Sequence, residues 1–288
     1  MSASPFTVLH ASDFQIGRPF LPEAAEALLR LAGEVRPDVV VAAGDITQRA
    51  KRREFEHARA LLERFGDVPV VVTPGNHDVP LYRVWERAAT PYKEWRRFAD
   101  ATGLDSVTRV PGAVFVALNS SDPRGAIVAG RIRSRQVEFA ERAFREAPVS
   151  DLRVLVVHHH FLPVPDGRGG RPLRGAKGLL AAFESMGVSA ILGGHVHQLH
   201  VGSSTQLTGN DAGVPVIATG TATSRRGRGP EAGANSVCVL TFQAGALRVR
   251  PYRRDTGGVN FEPVDERTFP LRGRPTAAGE STMLRVDA

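Results

Sequence analysis

The sequence predicts an α/β protein built on a buried parallel sheet. Three observations carry that reading. Apolar runs alternate with amphipathic segments in a strand–helix–strand–helix–strand order across residues 6–76. The runs are continuously apolar, as strands covered on both faces must be. The intervening segments repeat their apolar residues at helical spacing.

The elements follow in order. "FTVLHAS" opens as a strand, and "PEAAEALLRLAGEV" follows as a helix. "PDVVVAAGD" is a strand, "RREFEHARALLERFG" an amphipathic helix and "VPVVVTPGN" a third strand. Residues 81–103 read as helix interrupted by Pro91, whose ring cannot sit inside one. "VTRVPGAVFVALNS" is a short β stretch. Then come helix "SRQVEFAERAFREA", strand "DLRVLVVHHH", helix "GAKGLLAAFESMG" and strand "VSAILGGHVHQ". After residue 198 the pattern changes to strands and turns with no clear helix: "LHVGS", "VPVIATGTA", "SVCVLTF" and "ALRVRPYR". One domain is expected over residues 1–253. The Pro-, Gly- and Arg-rich residues 254–288 read as a C-terminal tail.

Composition narrows the class. Of 288 residues, 42% are hydrophobic and 23% charged, which suits a globular chain with a sizeable core. The single cysteine, Cys238, excludes an internal disulfide and reads as a small core residue of a strand. No apolar run reaches 18 residues and the N-terminus has no basic-then-apolar leader, so a cytoplasmic protein without a membrane span is expected. Net charge is +7 and Lys51, Lys93 and Lys177 are the only lysines. A basic surface suits anionic substrates. The arginines are dispersed, so nucleic acid is a possible partner and not the favoured one. No feature of the sequence sets an oligomeric state.

Polar residues collect where the apolar strands end. Asp13 and Gln15 follow the first strand, Asp45 the second, and Asn76, His77 and Asp78 the third. His158, His159 and His160 follow a later strand, and His195 and His197 the next. Ligands of an open α/β sheet gather at the carboxyl ends of its strands. Any one "GD", "GN" or strand-end histidine is most often a turn or a structural group; the ordered set points to a metal site. Aspartate supplies charge and can bridge two ions, while imidazole and amide oxygen suit Mn, Fe and Zn.

The order of "SDFQ", "AGDIT", "PGNHD", "VVHHHF" and "GGHVH" resembles that of the calcineurin-like metallophosphoesterases. The resemblance implies a four-layer α/β/β/α sandwich with two divalent or mixed-valence transition-metal ions. One ion would be held by Asp13, Gln15, Asp45 and His197. The other would be held by Asp45, Asn76, His195 and a histidine of the 158–160 run, with Asp45 bridging. In this family the run's ligand precedes a proline by two places. Phe161 stands at that proline, which selects His159, with His158 the alternative. His77 would be the catalytic acid, with Asp78 to orient it. The implied reaction is attack on phosphorus by a metal-bridging hydroxide.

Gln15 departs from the family, which usually has His there. An amide still offers a carbonyl oxygen to a metal. Members with D-x-Q include Mn-dependent nucleotide-diphosphate hydrolases, so Gln15 is read as a harder ligand that favours Mn or Fe, with Zn possible. Downstream, "GTATSRRGRG" resembles a loop of bacterial class III cyclic-nucleotide phosphodiesterases. It offers Thr221, Thr223, Ser224, Arg225, Arg226 and Arg228 as a polar, basic strand-end loop, with Thr221, Ser224 and Arg225 the expected substrate contacts. The long loop around Asp166 is a candidate lid. The expected activity is hydrolysis of a small phosphodiester, cyclic nucleotides among the candidates. Alternatives are an ADP-ribose-like nucleotide-diphosphate hydrolase and a DNA nuclease. A non-enzymatic scaffold would be expected to have lost ligands that this chain keeps.

Overall fold

The computed structural model describes residues 4–100, 103–125, 128, 130–164 and 169–271. Two sheets stack face to face. The first contains β1 (Phe6–Ala11), β2 (Val39–Ala42), β3 (Val70–Val72), β10 (Ala234–Gln243), β11 (Ala246–Asp255), β12 (Glu262–Pro263) and β13 (Arg267–Pro270). Its order is β12-β11-β10-β1-β2-β3, with β13 also paired to β11. The second contains β4 (Ser106–Val110), β5 (Ala113–Leu118), β6 (Leu152–Val157), β7 (Ala190–Gly193), β8 (His200–Ser203) and β9 (Pro215–Ala218), in the order β4-β5-β6-β7-β9-β8. β1, β2 and β3 run parallel, as do β5, β6, β7 and β9. All seven therefore deliver their C-terminal ends along one direction within their sheet.

Period-2 alternation splits each central strand between two cores. Leu9, Ala11, Val40 and Ala42 face one way, against α1 (Pro22–Val35), α2 (Arg52–Glu63) and α4 (Lys93–Ala99). Val8, Val39 and Val41 face the other way, against Phe115, Val154, Leu192 and Ile217 of the second sheet. Val114, Val116, Leu155 and Ile191 face outward again, under α5 (Ser134–Arg145) and α6 (Ala176–Ser185). These three apolar cores separate four layers, the expected α/β/β/α sandwich. Because both faces of the sheets are buried, the strands had to be continuously apolar.

The helix boundaries follow local chemistry. α1 starts on Pro22, whose missing N–H costs nothing in a first turn. α2 starts where Glu54 accepts the backbone N–H of Arg49 at 2.8 Å. Pro91 separates α3 (Val84–Ala89) from α4, as its ring requires. α3 buries none of its residues, and Trp85 is 89% exposed.

Two expectations are revised. A short helix, α7 (Thr205–Thr208), interrupts the late strand region. The sheet also does not end at residue 253. β11 runs to Asp255, and β12 and β13 return against it, so residues 254–271 belong to the domain. Pro-rich composition hid these strands; proline is tolerated on a sheet edge, where its absent N–H faces no partner. The remainder of the expected tail, residues 272–288, and Asp166 of the expected lid loop lie outside the described residues. Cys238 is buried in β10, as read from its sequence. Among the described residues, no helix is long and apolar enough to cross a membrane.

Candidate dinuclear metal centre

The loops after β1, β2, β3, β6 and β7 meet at one rim between the two sheets. Asp13, Gln15, Asp45, His195 and His197 all take left-handed backbone, with φ of 53, 48, 49, 74 and 57°. They are five of the nine non-glycine residues with positive φ among the described residues. Such conformations are unfavourable for side-chain-bearing residues and cluster where function fixes them. The strain is held by continued pairing of the loops. Asp13 N donates to Gly44 O at 3.0 Å, Gln15 N to Asp45 O at 2.8 Å and Ile16 N to Ile46 O at 2.9 Å. Glycine is needed where loops nearly touch. A Cβ on Gly75 would stand 2.2 Å from Asp45 Oδ1, and one on Gly194 would stand 1.8 Å from Ser12 Oγ.

Each carboxylate has one anchored oxygen and one free oxygen. Asp13 Oδ2 accepts the His195 backbone N–H at 2.9 Å and lies 2.8 Å from Ser12 Oγ. Asp13 Oδ1 has no hydrogen-bond partner and faces His197 Nε2 at 3.2 Å. Asp45 Oδ1 accepts the His77 backbone N–H at 2.7 Å, and Oδ2 has no hydrogen-bond partner. Both residues are almost fully buried. Leaving buried carboxylate oxygens unpaired is costly, and a bound cation removes that cost. Asp13, Asp45 and His197 each offer an atom within 4.8 Å of the others. Burial alone would raise the Asp13 carboxyl; the neighbouring His197 outweighs it and holds the group well below the ordinary carboxylate range.

The imidazoles are set in the same way. His197 Nδ1 lies 2.8 Å from the Arg226 carbonyl, which only accepts, so Nδ1 carries a proton and Nε2 is the atom turned toward Asp13 and the site where a metal would bind. His158 repeats this with the Ala43 carbonyl at 2.8 Å. Its Nε2 has no hydrogen-bond partner and lies 3.4 Å from Asp45 Oδ1. His195 Nδ1 lies 3.0 Å from Asn76 Oδ1. Burial drives the His195 ring well below the ordinary histidine range, aided by repulsion from His159 and His158. Such a ring stays neutral, as a metal donor must.

The triple histidine resolves differently from the expected choice. His159 Nδ1 is 2.7 Å from Ser120 Oγ, and its ring packs on His195 with centroids 4.4 Å apart. Burial and the neighbouring histidines depress it, with no carboxylate acting on it. Burial also opposes charge on His158, yet Asp45 and Asp13 raise it overall. The geometry therefore directs His158, not His159, at Asp45. The strand end carries on one residue less than alignment on Phe161 assumed.

Gln15 is fully buried inside the cluster. Its amide nitrogen is 3.1 Å from His197 Nε2, and its Oε1 accepts the Ser224 hydroxyl at 3.0 Å. Turning the amide over would exchange its two ends and direct the oxygen at the cluster, and Ser224 Oγ could then accept the N–H.

Two further assignments change. Asp78 does not touch the His77 ring. Its oxygens accept the backbone N–H groups of Gly75, Ile46 and Thr47 and the Thr47 hydroxyl, tying the β2 and β3 loops together. Burial, then the charge of Asp45, pushes its carboxyl up to about 7. The His77 ring is oriented instead by the Gln48 carbonyl, 3.0 Å from Nδ1, which no motif signalled. Thr221 and Ser224 are fully buried and cannot be direct substrate contacts. Thr221 Oγ1 donates to the Asp13 carbonyl at 2.7 Å and lies 2.6 Å from Ser224 Oγ, so the β9 loop buttresses Asp13 and Gln15. Of the expected substrate contacts, Arg225 alone lines the open cavity, beside Arg226 and Arg228. Arg226 also donates to His77 Nε2 at 3.0 Å and to Gln48 Oε1 at 3.2 Å.

The chain matches the calcineurin-like phosphoesterase family over residues 6–199. It is 30% identical over 295 aligned positions to a cAMP/cGMP dual specificity phosphodiesterase of Mycobacterium tuberculosis, covering 94% of this chain and 81% of that one. It is 27% identical over 224 positions to a probable cyclic nucleotide phosphodiesterase of Rhodococcus erythropolis, covering 73% and 68%. Among solved structures it superposes on a purple acid phosphatase of yellow lupin with a TM-score of 0.66 at 16% identity, covering 93% of this chain and 54% of that one. A dimetal phosphatase of Danio rerio superposes with a TM-score of 0.59 at 13% identity, covering 92% and 99%. At these identities the two structures speak for the fold alone.

Proposed function

The chain belongs to the calcineurin-like phosphoesterase family, and on that premise we propose that it is a dinuclear metal-dependent phosphodiesterase acting on small phosphodiesters, cyclic nucleotides among them. The observation that carries this is the set of buried donor atoms without hydrogen-bond partners, Asp13 Oδ1, Asp45 Oδ2 and His158 Nε2, beside an open, arginine-rich cavity that Asp45, His195 and His197 line. The names of the two bacterial relatives support the cyclic-nucleotide substrate.

Asp13, Gln15, Asp45 and His197 would hold one ion. Asp45, Asn76, His158 and His195 would hold the other. Manganese or iron suits the amide and carboxylate oxygens better than zinc does. When bound, two ions activate water and neutralise charge on the phosphoryl oxygens. The protein's own groups do the rest. His77 Nε2 opens into the cavity, 4.0 Å from Asp45 Oδ2, where it is the proton donor for the leaving oxygen. A guanidinium only donates, so with Arg226 at 3.0 Å the Nε2 lone pair is occupied and the ring proton sits on Nδ1, facing Gln48 O. A phosphate oxygen entering the cavity competes for Arg226 and releases Nε2 to take up a proton from solvent, which it then passes to the leaving oxygen. Arg225 and Arg226 add positive charge facing the phosphate.

The test is turnover by the purified, Mn-loaded protein of cyclic AMP, ADP-ribose and an aryl phosphodiester. Hydrolysis of the aryl and cyclic diesters is expected. Turnover of ADP-ribose alone would replace this reading with a nucleotide-diphosphate hydrolase.

A further inference from the structure

We infer that the catalytic cavity accepts a short single-stranded oligonucleotide, cut at the phosphodiester seated over the metal centre while the flanking phosphates lie on a ring of cations. The inference rests on the phosphodiesterase reading above and names a further substrate class for that site.

Size is the first observation. The cavity measures about 1250 Å³, above the roughly 300–1,000 Å³ that encloses a drug-sized ligand. A cyclic mononucleotide would leave much of it filled with water.

Charge is the second. Arg18, Arg49, Lys51, Arg53, Arg225 and Arg228 line the cavity. None forms an ion pair with a carboxylate among the described residues. The lining carboxylates are Asp45, which belongs to the metal centre, and Glu54, which accepts the backbone N–H groups of Arg49 and Lys51. A cyclic nucleotide brings one negative charge, which the metal centre and Arg226 already meet. Six further unpaired cations match a ligand with several phosphates.

Aromatic surface is the third. The Arg49 guanidinium lies 4.3 Å above the Tyr82 ring, and Tyr82 is 70% exposed at the cavity wall. Phe20 and His57 meet edge to face at 5.1 Å and also line the cavity. Cations set beside aromatic rings are how sequence-tolerant single-strand sites hold backbone and bases together. A compact nucleotide sugar supplies too few bases and phosphates to use both.

The chemistry is ordinary hydrolysis. Water adds across the scissile P–O bond; phosphorus keeps the water oxygen and the leaving sugar oxygen takes a proton. Two shorter strands result, one ending in a phosphomonoester.

The test compares the Mn-loaded protein on a 5′-phosphorylated trinucleotide, cyclic AMP, ADP-ribose and an aryl phosphodiester. The trinucleotide should be cleaved with the highest kcat/KM. That value should fall roughly tenfold between 50 and 200 mM salt, as expected for two to three phosphate contacts on a single strand. Tyr82→Ala and the double variant K51A/R53A should each lower kcat/KM for the trinucleotide about tenfold more than for the aryl diester. Turnover of the aryl diester with an intact trinucleotide overturns the inference and leaves the phosphodiesterase reading standing. So does a faster reaction with ADP-ribose than with the trinucleotide, or an equal loss on both substrates in the variants. No turnover of any diester by protein loaded with two ions would remove the phosphodiesterase reading itself.

Discussion

Ser224 donates its hydroxyl to Gln15 Oε1 at 3.0 Å, joining the β9 loop to the β1 loop across 209 residues of sequence. The other end of the amide lies 3.1 Å from His197 Nε2. Gln15 is thus held between a structural hydroxyl and the metal cluster, and because a hydroxyl both donates and accepts, Ser224 supports the amide with either end toward the cluster.

This makes Gln15 and Ser224 separable. Gln15→Ala removes one donor and should make activity dependent on added Mn²⁺. Ser224→Ala keeps the donor and loses only its support, so metal affinity should fall by about 10–100-fold, the usual cost of losing a group that orients a ligand. Gln15→His should keep kcat/KM within about tenfold, or ~1.4 kcal/mol, and move preference toward Zn²⁺. Mn²⁺ titrations of activity for the four proteins check this. Superimposable curves for wild type and Gln15→Ala would show that the glutamine holds no metal.

His158 and His159 give a second contrast. With Nε2 at 3.4 Å from Asp45, His158→Ala should reduce bound metal from about two ions toward one per chain. His159→Ala should retain both ions, because its ring contacts Ser120 and His195 and no carboxylate. Elemental analysis after reconstitution reads the stoichiometry. Loss of an ion in His159→Ala and not in His158→Ala would reverse the assignment.

His77→Ala should keep both metals and lose about 10²–10⁴ in kcat. The loss should shrink for a nitrophenolate leaving group, which needs little protonation. An equal loss on good and poor leaving groups would reduce His77 to a phosphate binder. Arg226→Ala, which frees Nε2 and removes a cation, should instead lower kcat/KM about 10–100-fold with little dependence on the leaving group. Parallel leaving-group series for the two variants distinguish the roles.

Gly194→Ala tests the packing beneath the centre. Its Cβ would stand 1.8 Å from Ser12 Oγ and 2.5 Å from Asp13 Oδ2. Forcing a methyl into that gap should cost about 1–3 kcal/mol, lower Tm by several degrees and displace Asp13 enough to weaken metal binding. A thermal melt with and without Mn²⁺ reads both effects. An unchanged Tm would mean that the loops give way freely.

The sequence by itself determined the alternation of strands and helices, because apolar periodicity is written locally and burial on both sheet faces demands continuous apolar runs. It likewise determined that Asp13, Asp45, Asn76, His195 and His197 would meet, since each follows a strand and parallel strands carry their ends to one rim. Tertiary structure decided what depends on direction and on distant partners. Which of His158 and His159 faces Asp45 turns on ring direction, and a shift of one residue reverses the face. Asp78 looked catalytic beside His77 but is consumed by four hydrogen bonds from the loops after β2 and β3. Thr221 and Ser224 looked like a substrate loop but are buried against β1. The His77–Gln48 and His77–Arg226 contacts join residues 29 and 149 positions apart, and no local pattern carries such a pairing. The strands after residue 253 were hidden because edge positions tolerate proline and exposed charge, so only their pairing to β11 identifies them.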